Sequence, residues 1–209
     1  MQRPWGWLHT TFLRWGKDPN VNIEDHDALL VVDVQNDFCP GGALPVPDGD
    51  KVVPVINGLL LKFRTVFFTR DYHPSDHCSF SERPEYRDMS WPPHCVQHTP
   101  GAEFHGDLHV PADATVISKG TDPDKEAYSG FSGTALHEEL QKRKVRRVFV
   151  TGLATEYCVK ETALDAARHG YETYVVEDAC RGLTSEGVRK AVHELKSAGV
   201  GFVHSSMLM

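Results

Sequence analysis

The stretch Asp27-Ala-Leu-Leu-Val-Val-Asp-Val34 is a nearly continuous apolar run of Leu and Val that breaks on an aspartate. A strand covered on one face only would alternate apolar and polar residues. A run without alternation suits a strand buried on both faces, as in a parallel sheet. Further short apolar runs recur down the chain, at 65–69 (TVFFT), 115–117 (TVI), 147–151 (RVFVT), 173–177 and 201–204. Segments with helical spacing lie between most of them. Residues 50–64 repeat Val52, Val55, Ile56, Leu59, Leu60 and Phe63, with Pro54 near the start, where proline is tolerated. Residues 134–144, 156–169 and 185–198 read as helices too, the second closed by Gly170. Strands alternating with helices predict an α/β fold: one open parallel sheet of about six strands, flanked by helices and joined by right-handed crossovers.

The chain has 209 residues, so one domain with a sizeable core is expected. We expect an N-terminal extension over residues 1–24 and a single domain over 25–209. A net charge of −7 argues against a nucleic-acid partner, which would need a basic face. No apolar run approaches the ~18–20 residues of a membrane span. The five cysteines are scattered and include no C-x-x-C pair, which excludes a zinc ribbon and a thioredoxin motif and points to a reducing, cytoplasmic setting. The first stretch, MQRPWGWLHTTFLRWGK, is basic and rich in tryptophan. It reads either as an organelle-targeting or interfacial segment, or as an extension packing its aromatics on the domain or on a neighbouring subunit of a homo-oligomer.

The chemistry-bearing residues fall where the apolar runs end. Asp33 closes the first run, Lys119 follows TVIS, and Cys158 lies just beyond VTGLATEY. In an open parallel sheet the carboxyl-end loops converge on one crevice. A carboxylate, an ammonium and a thiol gathered there make an activated nucleophile. Cys158 sits at a predicted helix start, whose free N–H groups favour a thiolate, so a thiol pKa below the ~8.5 of free cysteine is expected. Cys39 and Cys95 are rival thiols, but neither opens a helix. Asp71 and His73, two apart on an extended segment, point the same way, and His94 lies in WPPHC. Together they suit zinc, iron or manganese with positions left for water or substrate. His77, His98 and His105 are further candidate ligands. Half of the twelve histidines of the chain fall in the long aperiodic interval 70–113, and a loop of that length is usually functional. Phe38 and Trp91 flank this interval and could sandwich a flat ring.

These segments resemble the nicotinamidase/pyrazinamidase family of isochorismatase-like cysteine hydrolases. The matching text, in the family's order, is DVQNDFCPGGALPV, TRDYHPSDHCSF, WPPHCVQHTPGAEFH, SKGTDPDKEAYSGF and VTGLATEYCVKETALDA, within residues 28–183. The resemblance implies that Asp33, Lys119 and Cys158 form a catalytic triad. It further implies that Asp71, His73 and His94 hold one divalent metal ion, zinc or otherwise iron or manganese, and that Phe38, Trp91 and Tyr128 line a pyridine pocket. A cis peptide at Leu153–Ala154 would aim the backbone N–H groups of Ala154 and Cys158 at an oxyanion. The implied reaction converts nicotinamide to nicotinate and ammonia through a thioester, within NAD salvage. Two departures accompany it: the tryptophan-bearing extension is foreign to the family pattern, and His77 stands where some relatives add a ligand. The competing readings are a metal-free amidohydrolase of ureido or carbamoyl compounds and a non-catalytic metal-binding scaffold. The Asp71, His73, His94 set argues against the first, and the presence of all three triad residues against the second.

Overall fold

A computed structural model describes residues 20–86 and 89–209. Most of the expected extension, and with it the targeting reading, lies outside the described residues. The fold is a six-stranded parallel sheet in the order β3-β2-β1-β4-β5-β6. The strands are β1 (Asp27–Val32), β2 (Thr65–Asp71), β3 (Thr115–Lys119), β4 (Arg147–Leu153), β5 (Glu172–Arg181) and β6 (Gly201–Val203). The helices are α1 (Val52–Leu60), α2 (Leu136–Lys142), α3 (Lys160–Arg168) and α4 (Ser185–Ser197).

Every residue of β1 is buried, as the run without alternation predicts. Its side chains divide between two cores. Leu29 and Val31 pack with Val52, Ile56 and Leu59 of α1 and with Phe68 and Phe149. Ala28, Leu30 and Val32 pack with Leu136 and Leu140 of α2, Ala163 and Leu164 of α3, and Leu195 of α4. Each Val, Leu, Ile or Phe among them contributes about 1.5–3 kcal/mol when fully buried. Among the described residues, no helix is long and apolar enough to cross a membrane.

Several boundaries differ from the sequence reading. The helix expected at 50–64 spans only Val52–Leu60, because Gly49–Lys51 forms a 3-10 turn ahead of it. The segment expected as one helix over 156–169 is divided: a π-helical turn, Thr155–Val159, precedes α3. Strands β2 and β3 run past the apolar runs into polar residues, to Asp71 and Lys119. The ladder continues because backbone pairing does not depend on side-chain polarity. These two residues are register partners across β2 and β3. The long interval 70–113 is tied down by isolated bridges, His73 with Val96 and Phe80 with Trp91, while Phe104 bridges back to Gln35.

Candidate active site

The site is built at the carboxyl ends of β1, β2, β3 and β4. Asp33 follows β1 directly in a left-handed conformation, φ 49°. Close beside it, Gly152 of β4 takes φ 111°, and a Cβ there would stand 1.9 Å from the Val32 carbonyl oxygen. Only glycine lets β4 pass so near the end of β1. Lys119 is fully buried, and its Nζ is the hub of the site. It lies 2.8 Å from Asp33 Oδ2 and 3.4 Å from Cys158 Sγ, donates to the Ala127 carbonyl oxygen at 3.1 Å, and pairs closely with Asp71 Oδ1.

Asp33 Oδ1 accepts a 2.6 Å hydrogen bond from the Thr69 hydroxyl. Its other oxygen, Oδ2, is wholly buried and has no aligned hydrogen-bond donor, because the Lys119 ammonium beside it approaches off-angle. Asp33, Asp71 and Cys158 each place a polar atom within 4.8 Å of the others. A carboxylate that can accept a proton thus stands beside the thiol.

Burial is the largest single influence on each charged group of the site, though not always the deciding one. It pushes the Asp33 pKa up, against the pull of Lys119. Burial alone would lower the Lys119 pKa, but Asp33 and Asp71 outweigh it and hold the ammonium charged, well above its usual range. For Asp71, burial is opposed by Lys119 and by a bond to His73, and the carboxylate is held below its usual range. The expectation of a low thiol pKa at Cys158 is corrected. Burial, helped by Asp33 and Asp71, pushes this thiol well above its ordinary value, and Lys119 only partly offsets them. A helix start is visible in the sequence, whereas complete burial beside two carboxylates is not. The resting group is a thiol, which needs a base at the moment of attack.

Of the three candidate thiols, Cys158 is the one that Lys119 Nζ bonds. Cys39 is pushed up to about 11 by burial and by Asp50, and the Cys95 sulfur faces the Gly101 carbonyl oxygen. All five cysteines are free.

Asp71, His73 and His94 form a second, adjoining cluster, buried, with ligand atoms within 4.8 Å of one another. His73 Nδ1 bonds the Gly120 carbonyl oxygen at 2.9 Å, and His94 Nδ1 bonds the Pro92 carbonyl oxygen at 2.8 Å. Carbonyls only accept, so each Nδ1 carries the proton and each Nε2 keeps its lone pair. His73 Nε2 lies 3.7 Å from Asp71 Oδ2. Two outward-fixed imidazoles and a carboxylate suit a divalent metal ion. Gly120 has φ 61°, and a Cβ on it would stand 2.4 Å from the His73 ring, so glycine is required for this support. His77 packs at a tilt against His73 with centroids 4.2 Å apart, but both its ring nitrogens are engaged, by the Ser79 hydroxyl and the Lys125 carbonyl. His98 bonds the Tyr72 hydroxyl, and His105 accepts from the Asp107 backbone N–H, so neither joins the cluster.

The pocket above both clusters is lined by Phe38, Trp91, Tyr128, Ala154 and Cys158, as well as by the metal-type ligands Asp71, His73 and His94. Trp91 donates from Nε1 to the Tyr128 hydroxyl at 2.9 Å and meets Tyr157 edge-on at 5.2 Å. Leu153–Ala154 is a cis peptide bond. Several residues here escaped the sequence reading. Gln35 accepts from the Asp71 N–H and donates to the Asp71 and Ala102 carbonyls, fixing the backbone of a cluster carboxylate. Thr69 orients Asp33, and Glu126, Tyr157 and Leu183 also line the pocket. A glutamine directly after the apolar run 27–34 was the one available signal for Gln35.

Comparison with known proteins agrees with this architecture. Residues 27–206 match the isochorismatase domain. A nicotinamidase/pyrazinamidase of Mycobacterium tuberculosis is 43% identical over 189 residues, covering 86% of this chain and 99% of the relative. A nicotinamidase of Escherichia coli is 39% identical, covering 82% and 92%. Among solved structures, a pyrazinamidase of Pyrococcus horikoshii in complex with zinc superposes with a TM-score of 0.79 at 51% identity, covering 86% of this chain and 99% of the other. A protein of L. infantum in complex with nicotinate gives 0.84 at 36% identity, covering 91% and 98%.

Proposed function

The chain belongs to the isochorismatase domain family, and from that premise we propose that it is a nicotinamidase, hydrolysing nicotinamide and pyrazinamide-like analogues to the acid and ammonia through a thioester on Cys158. The observation that carries this reading is the Lys119 hub, which joins a thiol, a proton acceptor and a metal-type carboxylate beneath one aromatic pocket.

The chemistry follows from the placement. Asp33 Oδ2 takes the Cys158 proton as the sulfur attacks the carboxamide carbon. The backbone N–H groups of Ala154 and Cys158 serve the developing oxyanion, and donors placed in this way are worth several kcal/mol. Protonated Asp33 then gives its proton to the leaving nitrogen, and ammonia departs. Asp33 next takes a proton from water as that water attacks the thioester. The C–S bond breaks, the sulfur regains its proton from Asp33, and the carboxylic acid leaves and gives its remaining proton to solvent. Lys119 stays charged throughout and stabilises each anionic partner in turn. Phe38, Trp91 and Tyr128 hold the ring so that its carboxamide meets the sulfur. Asp71, His73 and His94 would hold a divalent metal ion, zinc by preference for two imidazoles and a carboxylate; when bound it would supply a Lewis acid at the pocket wall.

The test is ammonia release from nicotinamide by chelator-treated protein, with zinc, manganese or iron added back. Restoration by at least one ion is expected. No ammonia with any of them contradicts the reading and favours a ureido or carbamoyl substrate, or a scaffold.

Two variants test the residue roles. His94→Ala removes one ligand from the buried cluster. Its metal content, measured by elemental analysis, is expected to fall at least tenfold, the lower bound for disturbing even an outer partner (~10–100-fold), and its KM for nicotinamide to rise. Full metal occupancy would remove His94 from the ligand set. Lys119→Met leaves Asp33 and Asp71 facing each other without their cation, and breaking a buried pair costs about 3–5 kcal/mol. Lys119 lowers the thiol pKa, so its loss raises that pKa further and slows alkylation of Cys158 by iodoacetamide near neutral pH. Unchanged stability with unchanged alkylation would make Lys119 a bystander.

A further inference from the structure

The mechanism gives no role to Glu156, two residues before Cys158 in the π-helical turn. Its carboxylate reaches out of that turn to the segment between β5 and α4. Oε1 accepts from the Thr184 N–H at 2.9 Å, and Oε2 accepts from the Leu183 N–H at 3.1 Å. The Thr184 hydroxyl separately accepts from the Gly187 N–H at 2.9 Å. Between them, the two side chains satisfy donors at the start of α4, where an anion is also favoured by the helix dipole.

The surroundings are shaped to admit this carboxylate. A Cβ on Gly182 would stand 2.2 Å from Glu156 Oε2, and one on Gly187 would stand 2.9 Å from Oε1. Two glycines thus leave the space that the carboxylate fills. The two segments it joins both face the substrate. Tyr157 and Cys158 line the pocket from the turn, and Leu183 lines it from the other segment. The strands beneath are already in register, Leu153 of β4 against Arg181 of β5. Beyond that pair the backbones diverge, and Glu156 bridges the gap.

We propose that Glu156 is a positioning residue: it staples the nucleophile turn to the Leu183 segment and so sets the distance between the Cys158 sulfur and the pocket wall opposite. The inference rests on the reading of Cys158 as nucleophile. A misplacement of about 1 Å can cost about 10²-fold in rate, so this bond pair has kinetic leverage without touching substrate. Glutamine cannot replace it, because one arm of an amide is a donor and would face a backbone N–H.

The test compares Glu156→Gln, Leu183→Ala and the double variant, each metal-loaded and folded at assay temperature by circular dichroism. In Glu156→Gln, kcat for nicotinamide is expected to fall about 10- to 100-fold, with a smaller change in KM and parental metal content. If Glu156 acts by fixing Leu183 against the thiol, the same substitution in the Leu183→Ala background costs less than about threefold, because the wall it positions is already gone. A purely structural role would lower the thermal midpoint but give equal losses in both backgrounds. Gly182→Ala, which crowds the same carboxylate from the other side, provides the second variant and is expected to lower kcat as well. A folded Glu156→Gln within about twofold of the parent overturns the proposal. So do equal losses in both backgrounds, or, where Glu156→Gln does not fold, parental kcat in Gly182→Ala. Failure of the underlying reading is distinct: it shows as hydrolysis surviving Cys158→Ala, whatever Glu156 does.

Discussion

Cys158→Ala is expected to lose nicotinamide hydrolysis by about four orders of magnitude or more, the scale on which removal of a covalent nucleophile acts, while fold and metal content stay parental. The side chain is small and buried, and alanine removes only its sulfur. Its thermal midpoint is therefore expected to shift little. Stopped-time ammonia assays at high enzyme concentration would measure the residual rate. Turnover near the parental rate would sink the nucleophile assignment and turn attention to Cys39 or Cys95.

Asp33→Asn carries the second large effect, with two consequences of opposite sign. The amide cannot take the thiol proton, so kcat is expected to fall about 10²- to 10⁴-fold. Yet Asp33 is one of the groups that push the thiol pKa up. Removing its charge leaves Lys119 beside the sulfur, so the thiol pKa falls, and alkylation by iodoacetamide near neutral pH is expected to speed up. Hydrolysis and alkylation thus part company in this variant, whereas in Lys119→Met both decline. The pH profile adds a check. Parental activity falls toward acid as Asp33 protonates, at a pH above the usual carboxylate range because burial raises its pKa. Asp33→Asn is expected to lose that acid limb. A variant with parental kcat, or with slower alkylation, would contradict the role of Asp33 as base.

The strands were legible because both sheet faces are covered, which turns each strand into a compact apolar run. Their ends were not legible. Composition marks Arg70-Asp71 and Ser118-Lys119 as loop, yet both pairs belong to the ladder, and the Asp71–Lys119 contact is a consequence of register that no local pattern carries. The residues gathered around Lys119 could be named from motif text, and the Asp71, His73 and His94 grouping was already suggested by spacing. Their supports could not. Gln35 holds Asp71 through its main chain, and Gly120 is needed because the His73 ring lies against its Cα. Both contacts join segments far apart in the chain. The sign of the thiol's pKa shift was misread for the same reason. A helix start is a local feature, whereas burial beside two carboxylates is a property of the assembled site.

The central claim is that the amide is cleaved through a covalent bond to Cys158. It is tested most directly by mixing the enzyme with excess nicotinamide, quenching in acid within a turnover, and mapping the adduct by peptide mass spectrometry. One nicotinoyl group is expected on the peptide bearing Cys158, labile to neutral hydroxylamine as a thioester is, and absent from Cys158→Ala. An unmodified Cys158 peptide during steady turnover, or an adduct on another residue, would contradict it.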